Sequence, residues 1–203
     1  NRVFWISEEL RGKIMHDIQL MVISSAITLV STLIGFFAQT LFNFFLSNRG
    51  KVKLYVKSVY AKETGNAWGF HSSEQGILFS VPLWLEIHNT KSKKQIIRNF
   101  NLVLFNNGKN VGKTMQISYY NKMGNPIHYG DGGTYSFLLD AHEIKRFDLF
   151  FAVLQKDIDM EFDEVKVSYY DSKDNYHEYK LLEISQPWQI SNNKIDDDWR
   201  LLK

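Results

Sequence analysis

From Ile18 to Leu46 the chain carries no charged residue, and the flanking charges are Asp17 and Arg49. A helix over that run is roughly 40–45 Å long at ~1.5 Å per residue, more than the ~30 Å hydrocarbon core of a bilayer. A helix apolar on every side must be enclosed by a core or by lipid. The run therefore reads as a single transmembrane helix over residues 18–48; the central helix of a soluble core is the competing reading. The residues beyond 48 are enough for one domain with its own core. A secretory signal peptide fits poorly, because the run exceeds an h-region and no small-residue cleavage site follows it.

The run is not uniformly apolar. Steps of three or four link Ser24, Thr28, Ser31, Gly35, Gln39 and Asn43 into one stripe, opposite Val22, Ile27, Leu33, Ile34, Phe37, Leu41 and Phe44. Small residues let helix backbones approach, and polar side chains bond across helix interfaces in lipid. Amides facing acyl chains would lack partners, which is costly. The stripe predicts a homo-oligomer zipped along this face; the sharper alternative is a ring of helices whose polar faces line a water path. Residues 1–17 form a lead, with Val3, Phe4, Ile6, Leu10 and Ile14 at roughly helical spacing, Trp5 beside them, and Ser7 before Glu8 and Glu9 as a helix start. It is read as an amphipathic segment on the membrane surface or as an extension of the spanning helix. Arg2, Arg11 and Lys13 precede the run, whereas Arg49, Lys51, Lys53, Lys57 and Lys62 follow it. This excess predicts a single-pass membrane protein with a cytoplasmic C-terminal domain.

After Lys51 the hydrophobic period changes to two. Val52, Leu54 and Val56 alternate with lysines; Phe79, Val81, Leu83, Leu85 and Ile87 share one face; Phe100, Leu102 and Leu104 share another; and so do Phe147, Leu149 and Phe151. Strands are expected from Lys51 for about ten residues, and over 77–88, 96–105, 117–120, 134–139, 144–154, 162–170 and 176–183. Loops are expected at 64–76 and 124–133, and Asn107-Gly108 marks a tight turn. Pro82 suggests an edge or a bulge. Strands with turns at such spacing predict an all-β domain at 49–184. An antiparallel β-sandwich of immunoglobulin-like arrangement is expected first, although Cys…Trp…Cys is missing, and a small closed β-barrel second. Residues 185–203 read as a polar tail that either frays or tucks Trp199 back onto the domain.

The chemistry is sparse. There is no cysteine, which excludes disulfides, thiol nucleophiles and Cys-ligated zinc and fits a reducing compartment. The six histidines show no metal-ligand spacing, so no metal and no cofactor is expected. Gly130-Asp131-Gly132-Gly133 precedes a strand rather than the helix a phosphate loop needs. Asp196–Asp198 lacks the pattern of a calcium loop and reads as a solvated acidic patch. No constellation of nucleophile and base appears, so no enzyme is expected. Residues 51–122 hold eleven Lys or Arg against three Asp or Glu, and residues 123–203 hold nine against sixteen; strands drawn from both halves would mix the two in space. The strongest ligand signal is the cluster Lys91, Lys93, Lys94 and Arg98 with Trp84 nearby: cations to meet anionic groups and an aromatic on which a base stacks. The plainer reading is that these lysines solubilise the domain and meet anionic headgroups.

With helix, stripe and β-domain in order, the layout resembles the small membrane-anchored effectors of bacterial anti-phage systems. Those join one or a few spanning helices to a cytosolic β-rich sensor, often for a cyclic oligonucleotide. The resemblance covers 18–46 followed by 51–183, carries over no functional residue, and departs from the many such effectors that have two or more spans. It implies a non-enzymatic, homo-oligomeric membrane protein. Its β-domain would sense a nucleotide second messenger or a protein partner, with no duplex nucleic acid, and its helices would assemble and permeabilise the bilayer. Two rivals remain: a static anchor or assembly subunit that docks another protein through the sandwich, and an extracellular β-sandwich binding module.

Overall fold

A computed structural model describes residues 2–122, 124–158 and 160–203, without the side chains of 2–10, 47, 48 and 122. The expectations for Trp5 and for Ser7, Glu8 and Glu9 fall outside these side chains. The chain divides into two compact units between residues 48 and 49.

The first unit is one helix, α1 (Arg2–Asn48), of 47 residues. Its interior holds no proline, so nothing interrupts the ladder of backbone bonds. The boundary expected at 17/18 lies inside this helix. Residues Arg11–Leu46 are long and apolar enough to cross a membrane, and none of the most apolar stretch is buried by protein.

The second unit is an all-β domain of antiparallel sheets. The first sheet takes β1 (Val52–Ser58), β2 (Gly69–Ser73), β3 (Gly76–Asn89), β6 (Met115–Gln116), β10 (Ile144–Leu154) and β13 (Arg200–Leu201), in the order β13-β1-β3-β10-β6, with β2 beside β3. The second takes β4 (Gln95–Asn106), β5 (Lys109–Lys113), β9 (Phe137–Leu139), β11 (Glu164–Tyr170) and β12 (Tyr176–Glu183), in the order β12-β11-β4-β5, with β9 beside β4. A separate hairpin joins β7 (Tyr119–Lys122) to β8 (Asn125–His128). The sheets do not close into a barrel, which removes that alternative.

The alternating residues do what their period dictates. Phe79, Val81, Leu83, Leu85 and Ile87 of β3 are fully buried, as are Phe100, Leu102 and Leu104 of β4 and Phe151 of β10, and they belong to one core filled from both sheets. Rings meet across it: Phe100 lies 6.3 Å from Phe151, and Phe79 lies 5.2 Å from Phe162. Each large apolar side chain so buried contributes about 1.5–3 kcal/mol. Asn107 (φ 49°) and Gly108 (φ 74°) make the β4–β5 turn, both in the left-handed region that such two-residue hairpin loops require.

Several details differ from the sequence reading, among them β8, which lies inside the loop expected at 124–133. The loop expected at 64–76 contains β2, paired to Gly76–Ser80. The strand expected at 117–120 is displaced: 117 and 118 link β6 to β7, the Ile117 N–H still donating to the Phe150 carbonyl at 2.9 Å before the chain turns into the hairpin. Pro82 is neither at an edge nor at a bulge but inside β3. Its carbonyl accepts the Val59 N–H at 3.2 Å, but with no N–H it cannot return that bond, and the β1 ladder stops at Ser58 opposite Leu83; the proline sits where that flank of β3 passes from β1 to β2. The tail follows the second of its two readings, in which Trp199 tucks back onto the domain. Trp188 is buried against Phe70 and Phe162, both at 5.4 Å, and Trp199 stacks on Trp84 at 6.2 Å. Asp196 is a cap rather than a solvated acid: its carboxylate accepts the Ser58 N–H at 2.8 Å while its own N–H donates to Ser58 Oγ at 2.8 Å.

Both sheets draw on both halves of the sequence, so the charge asymmetry is partly neutralised in space. Lys94 pairs with Asp140, Arg98 with Asp174, and Lys62 with Asp148.

Candidate functional site at the chain-entry end

The β-domain begins at Arg49-Gly50-Lys51. Gly50 adopts φ +94°, and a Cβ there would lie 2.3 Å from the Thr90 carbonyl oxygen, so only glycine fits this approach. Lys51 is then held by Thr90 three times: its N–H donates to Thr90 Oγ1 at 2.7 Å, and its carbonyl accepts from the Thr90 hydroxyl at 2.8 Å and N–H at 3.0 Å. Thr90 opens the β3–β4 turn, so the lysine turn and the start of β1 are locked together.

Asn89, buried at the end of β3, organises that turn. Its amide donates to the Lys93 carbonyl at 2.9 Å and the Asp140 carbonyl at 2.7 Å, and its Oδ1 accepts the Lys91 N–H at 3.0 Å. The β9–β10 turn is thereby fastened to the β3–β4 turn, and His142 N–H adds a bond to the Lys91 carbonyl at 3.1 Å. The β11–β12 turn reaches the same end: Ser172 Oγ donates to Gln95 Oε1 at 3.1 Å, which also accepts from Lys91 Nζ at 3.3 Å.

These segments enclose a cleft of about 280 Å³. Lys51 and Lys91 supply cations; Tyr169, His177 and Tyr179 supply a stacked aromatic wall; Gln95, Asp171 and Ser172 supply polar atoms. His177 lies 4.9 Å from Tyr169 at an interplanar angle of 19° and 6.4 Å from Tyr179 at 6°. Asp171 Oδ2 lies 3.0 Å from His177 Nε2, and Asp171 Oδ1 accepts the N–H groups of Lys173 and Asn175 at 2.8 and 3.0 Å. Burial works to raise the Asp171 pKa, yet the bonds from His177, Asn175 and the two backbone amides win and hold the carboxyl well below the usual carboxylate range. Burial, aided by the bond with Tyr179, pushes the Tyr169 phenol above its ordinary value, so it stays neutral. The cleft thus presents a fixed aromatic wall beside two lysines, an arrangement able to hold a planar group on one side and an anion on the other.

Of the ligand residues expected from sequence, Lys91 lines the cleft; Lys93 and Lys94 share its turn but are not among the lining residues, and Lys94 pairs with Asp140 at 2.8 Å. Arg98 and Trp84 do not join them. Arg98 lies 5.4 Å over the Tyr170 ring and pairs with Asp174 at 2.6 Å. Trp84 is on the outer face of the first sheet, between Arg146 at 4.8 Å and Trp199. Sequence reasoning missed Tyr169, His177 and Tyr179; their signal was the aromatic period of two in the terminal hairpin. Among the described residues, no group of three His, Asp or Glu converges as metal ligands.

The stripe on α1 divides chemically. Ser24, Thr28, Ser31, Gly35, Gln39 and Asn43 are all exposed, and a Cβ on Gly35 would meet nothing within 4 Å. The Ser24 hydroxyl donates to the Met21 carbonyl at 3.0 Å, and Thr28 to Ser24 and Thr32 to Thr28, both at 2.8 Å. These hydroxyls are satisfied within their own helix. Gln39 and Asn43 carry two-donor amides, which such back-bonding does not serve as readily.

Compared with protein-family models, curated proteins and solved structures, the chain matches none.

Proposed function

We propose that this chain is a non-enzymatic, single-span membrane protein that self-associates through α1 and whose β-domain, an immunoglobulin-like sandwich on the cytoplasmic side, senses a ligand. The observation that carries the reading is the pairing of an apolar helix without protein cover over 11–46 with a domain that begins at Arg49 and contains its whole core. Water does not tolerate such a helix, and lipid does. The cleft of Lys51, Lys91, Tyr169, His177 and Tyr179 suits a ligand with a planar ring and an anionic group, and a nucleotide second messenger has both. Ligand acts by binding one assembly state better than the other. Gln39 and Asn43 make the helix contacts or line the path through which the bilayer leaks. The setting we propose is bacterial anti-phage defence, on the layout alone.

The test is the oligomeric state and conductance of the purified protein in lipid, with and without a panel of cyclic nucleotides. A defined oligomer that leaks on nucleotide addition supports the reading; a sealed monomer under every condition overturns it.

One surface favours a second reading, the static anchor. Tyr55, Trp84, Arg146 and Trp199 share the outer face of the first sheet, with the Tyr55 and His88 rings 4.8 Å apart at an interplanar angle of 45°. Trp, Tyr and Arg are the residue types that dominate protein interfaces. Capture of one stoichiometric protein partner, lost on Trp84→Ala, by a protein that never leaks would favour the anchor.

A further inference from the structure

The chain-entry end also has an outward rim, which shares Lys51, Lys91 and Ile96 with the cleft and continues beyond it over Lys93, Lys94 and the β9–β10 turn. Two shoulders flank the β9–β10 turn: Leu138 is 48% exposed and Ile144 is 61% exposed. Ile96, 44% exposed, sits in register with Leu138 across β4 and β9. Lys145 Nζ donates to the Leu138 carbonyl at 3.1 Å, which ties the two shoulders together. Beside them stands the lysine turn. Residues 49–51, 91–94 and 138–145 together hold six Lys or Arg against two carboxylates. Both carboxylates are paired, Asp140 with Lys94 at 2.8 Å and Glu143 with Lys145 at 3.3 Å. The nearby Asp171 is turned to His177 and the backbone of its own turn. The net character of the rim is cationic with apolar side chains standing out of it. That combination suits the boundary between anionic headgroups and acyl chains.

We propose that this rim docks on an anionic bilayer surface, with Leu138 and Ile144 entering the headgroup layer and the lysine turn pairing with lipid phosphate and carboxylate. Covalent continuity supports the same partner: Lys51, bonded to the lysine turn through Thr90, is five residues after Leu46, within ~17 Å of chain. The inference rests on α1 spanning the membrane but not on any ligand, pore or oligomer. Docking would fix the domain against the bilayer.

The chain has no cysteine, so single labels are clean. Full-length Ile144→Cys and Leu138→Cys proteins, each carrying an environment-sensitive fluorophore, are reconstituted in phosphatidylcholine vesicles with or without phosphatidylserine, and quenching by brominated acyl chains is read. Lys156→Cys, at the opposite end of β10, is the control. The expected result is quenching at 144 and 138 but not at 156, stronger with phosphatidylserine. Lys93→Glu/Lys94→Glu should lower the docked-to-undocked ratio at least ~tenfold. Quenching no greater than at 156, or independent of both phosphatidylserine and the charge reversal, overturns the proposal; the second outcome would mean only a tether holds the domain near lipid. Protein that fails to float with vesicles sinks the membrane reading and this inference together, whereas docking without leak or ligand binding leaves this inference standing and sinks the sensor.

Discussion

The Asn89 side-chain amide donates to the Asp140 carbonyl oxygen at 2.7 Å, across 51 positions of sequence. With its bonds to Lys93 and Lys91, this one side chain joins the β3–β4 and β9–β10 turns that frame both the cleft and the rim. Asn89→Ala would strand three backbone groups in a nearly closed site and should cost about 2–3 kcal/mol. Asn89→Asp should be at least as damaging, because it points a carboxylate oxygen at two carbonyls. Chemical denaturation of the detergent-solubilised protein measures both; a loss below about 0.5 kcal/mol for each would show that the turns hold without it.

Gly50→Ala tests the junction itself. The added methyl would meet the Thr90 carbonyl at 2.3 Å in a backbone conformation at φ +94° that disfavours side chains. The first residues of β1 should detach, with faster amide exchange at Lys51 and Thr90, while the distal core around Phe79 and Phe162 stays protected. Unchanged exchange at Lys51 would refute the tight approach.

How much of this was legible in sequence follows from where each bond partner lies. The strands β3 and β10 were readable because their large apolar residues recur at every second position, as Phe79, Val81, Leu83, Leu85 and Ile87 do. Gly69–Ser73 hid β2, since its two buried residues, Gly69 and Phe70, are adjacent rather than alternate. The order of the tail was invisible for a different reason. Asp196 and Ser58 cap each other through side-chain and backbone atoms 138 residues apart, and Trp188 enters the core as a single ring without period. The cleft was half legible: the lysine turn stood out by composition, but its aromatic wall comes from a hairpin some 80 residues later, and Trp84, the nearer aromatic in sequence, points to the other side of its sheet.

The stripe on α1 should separate by chemistry rather than by position. Ser24→Ala and Thr28→Val remove hydroxyls already bonded to the Met21 and Ser24 carbonyls, so oligomer size in lipid should not change. Gln39→Leu/Asn43→Leu removes amides that need partners and should weaken self-association by about 1–2 kcal/mol, roughly tenfold. Cross-linking in proteoliposomes across a dilution series in lipid measures this. Equal effects from both pairs would remove the amides from the contact.

Acid should loosen the β11–β12 turn before the core. Asp171 is held below its ordinary value, so the unfolded chain binds its proton at a higher pH than the folded chain does. Its contribution is therefore complete above the unfolded value of about pH 4 and is lost as pH falls below that toward the folded value. Asp171→Asn keeps an oxygen for the Lys173 and Asn175 N–H groups but cannot titrate. The slope of unfolding stability against pH below about 4 should be shallower in this variant than in the wild type. Superimposable slopes would mean that other carboxylates govern acid unfolding.

The cleft should distinguish charge from stacking. Lys51→Glu/Lys91→Glu replaces both cations, so a phosphorylated ring ligand should lose affinity by more than a hundredfold, and the salt dependence of the remaining binding should flatten. Tyr179→Ala removes one ring of the wall and should weaken binding by about 1–3 kcal/mol with the salt dependence unchanged. Arg98→Ala and Trp84→Ala lie outside the cleft and should leave binding intact. Titration calorimetry with the cyclic nucleotide that triggers leakage reads all four. Loss of binding in Trp84→Ala with retention in Tyr179→Ala would move the ligand from the cleft to the outer face of the first sheet, and the sensing role would have to be rebuilt around Trp84, Arg146 and Trp199.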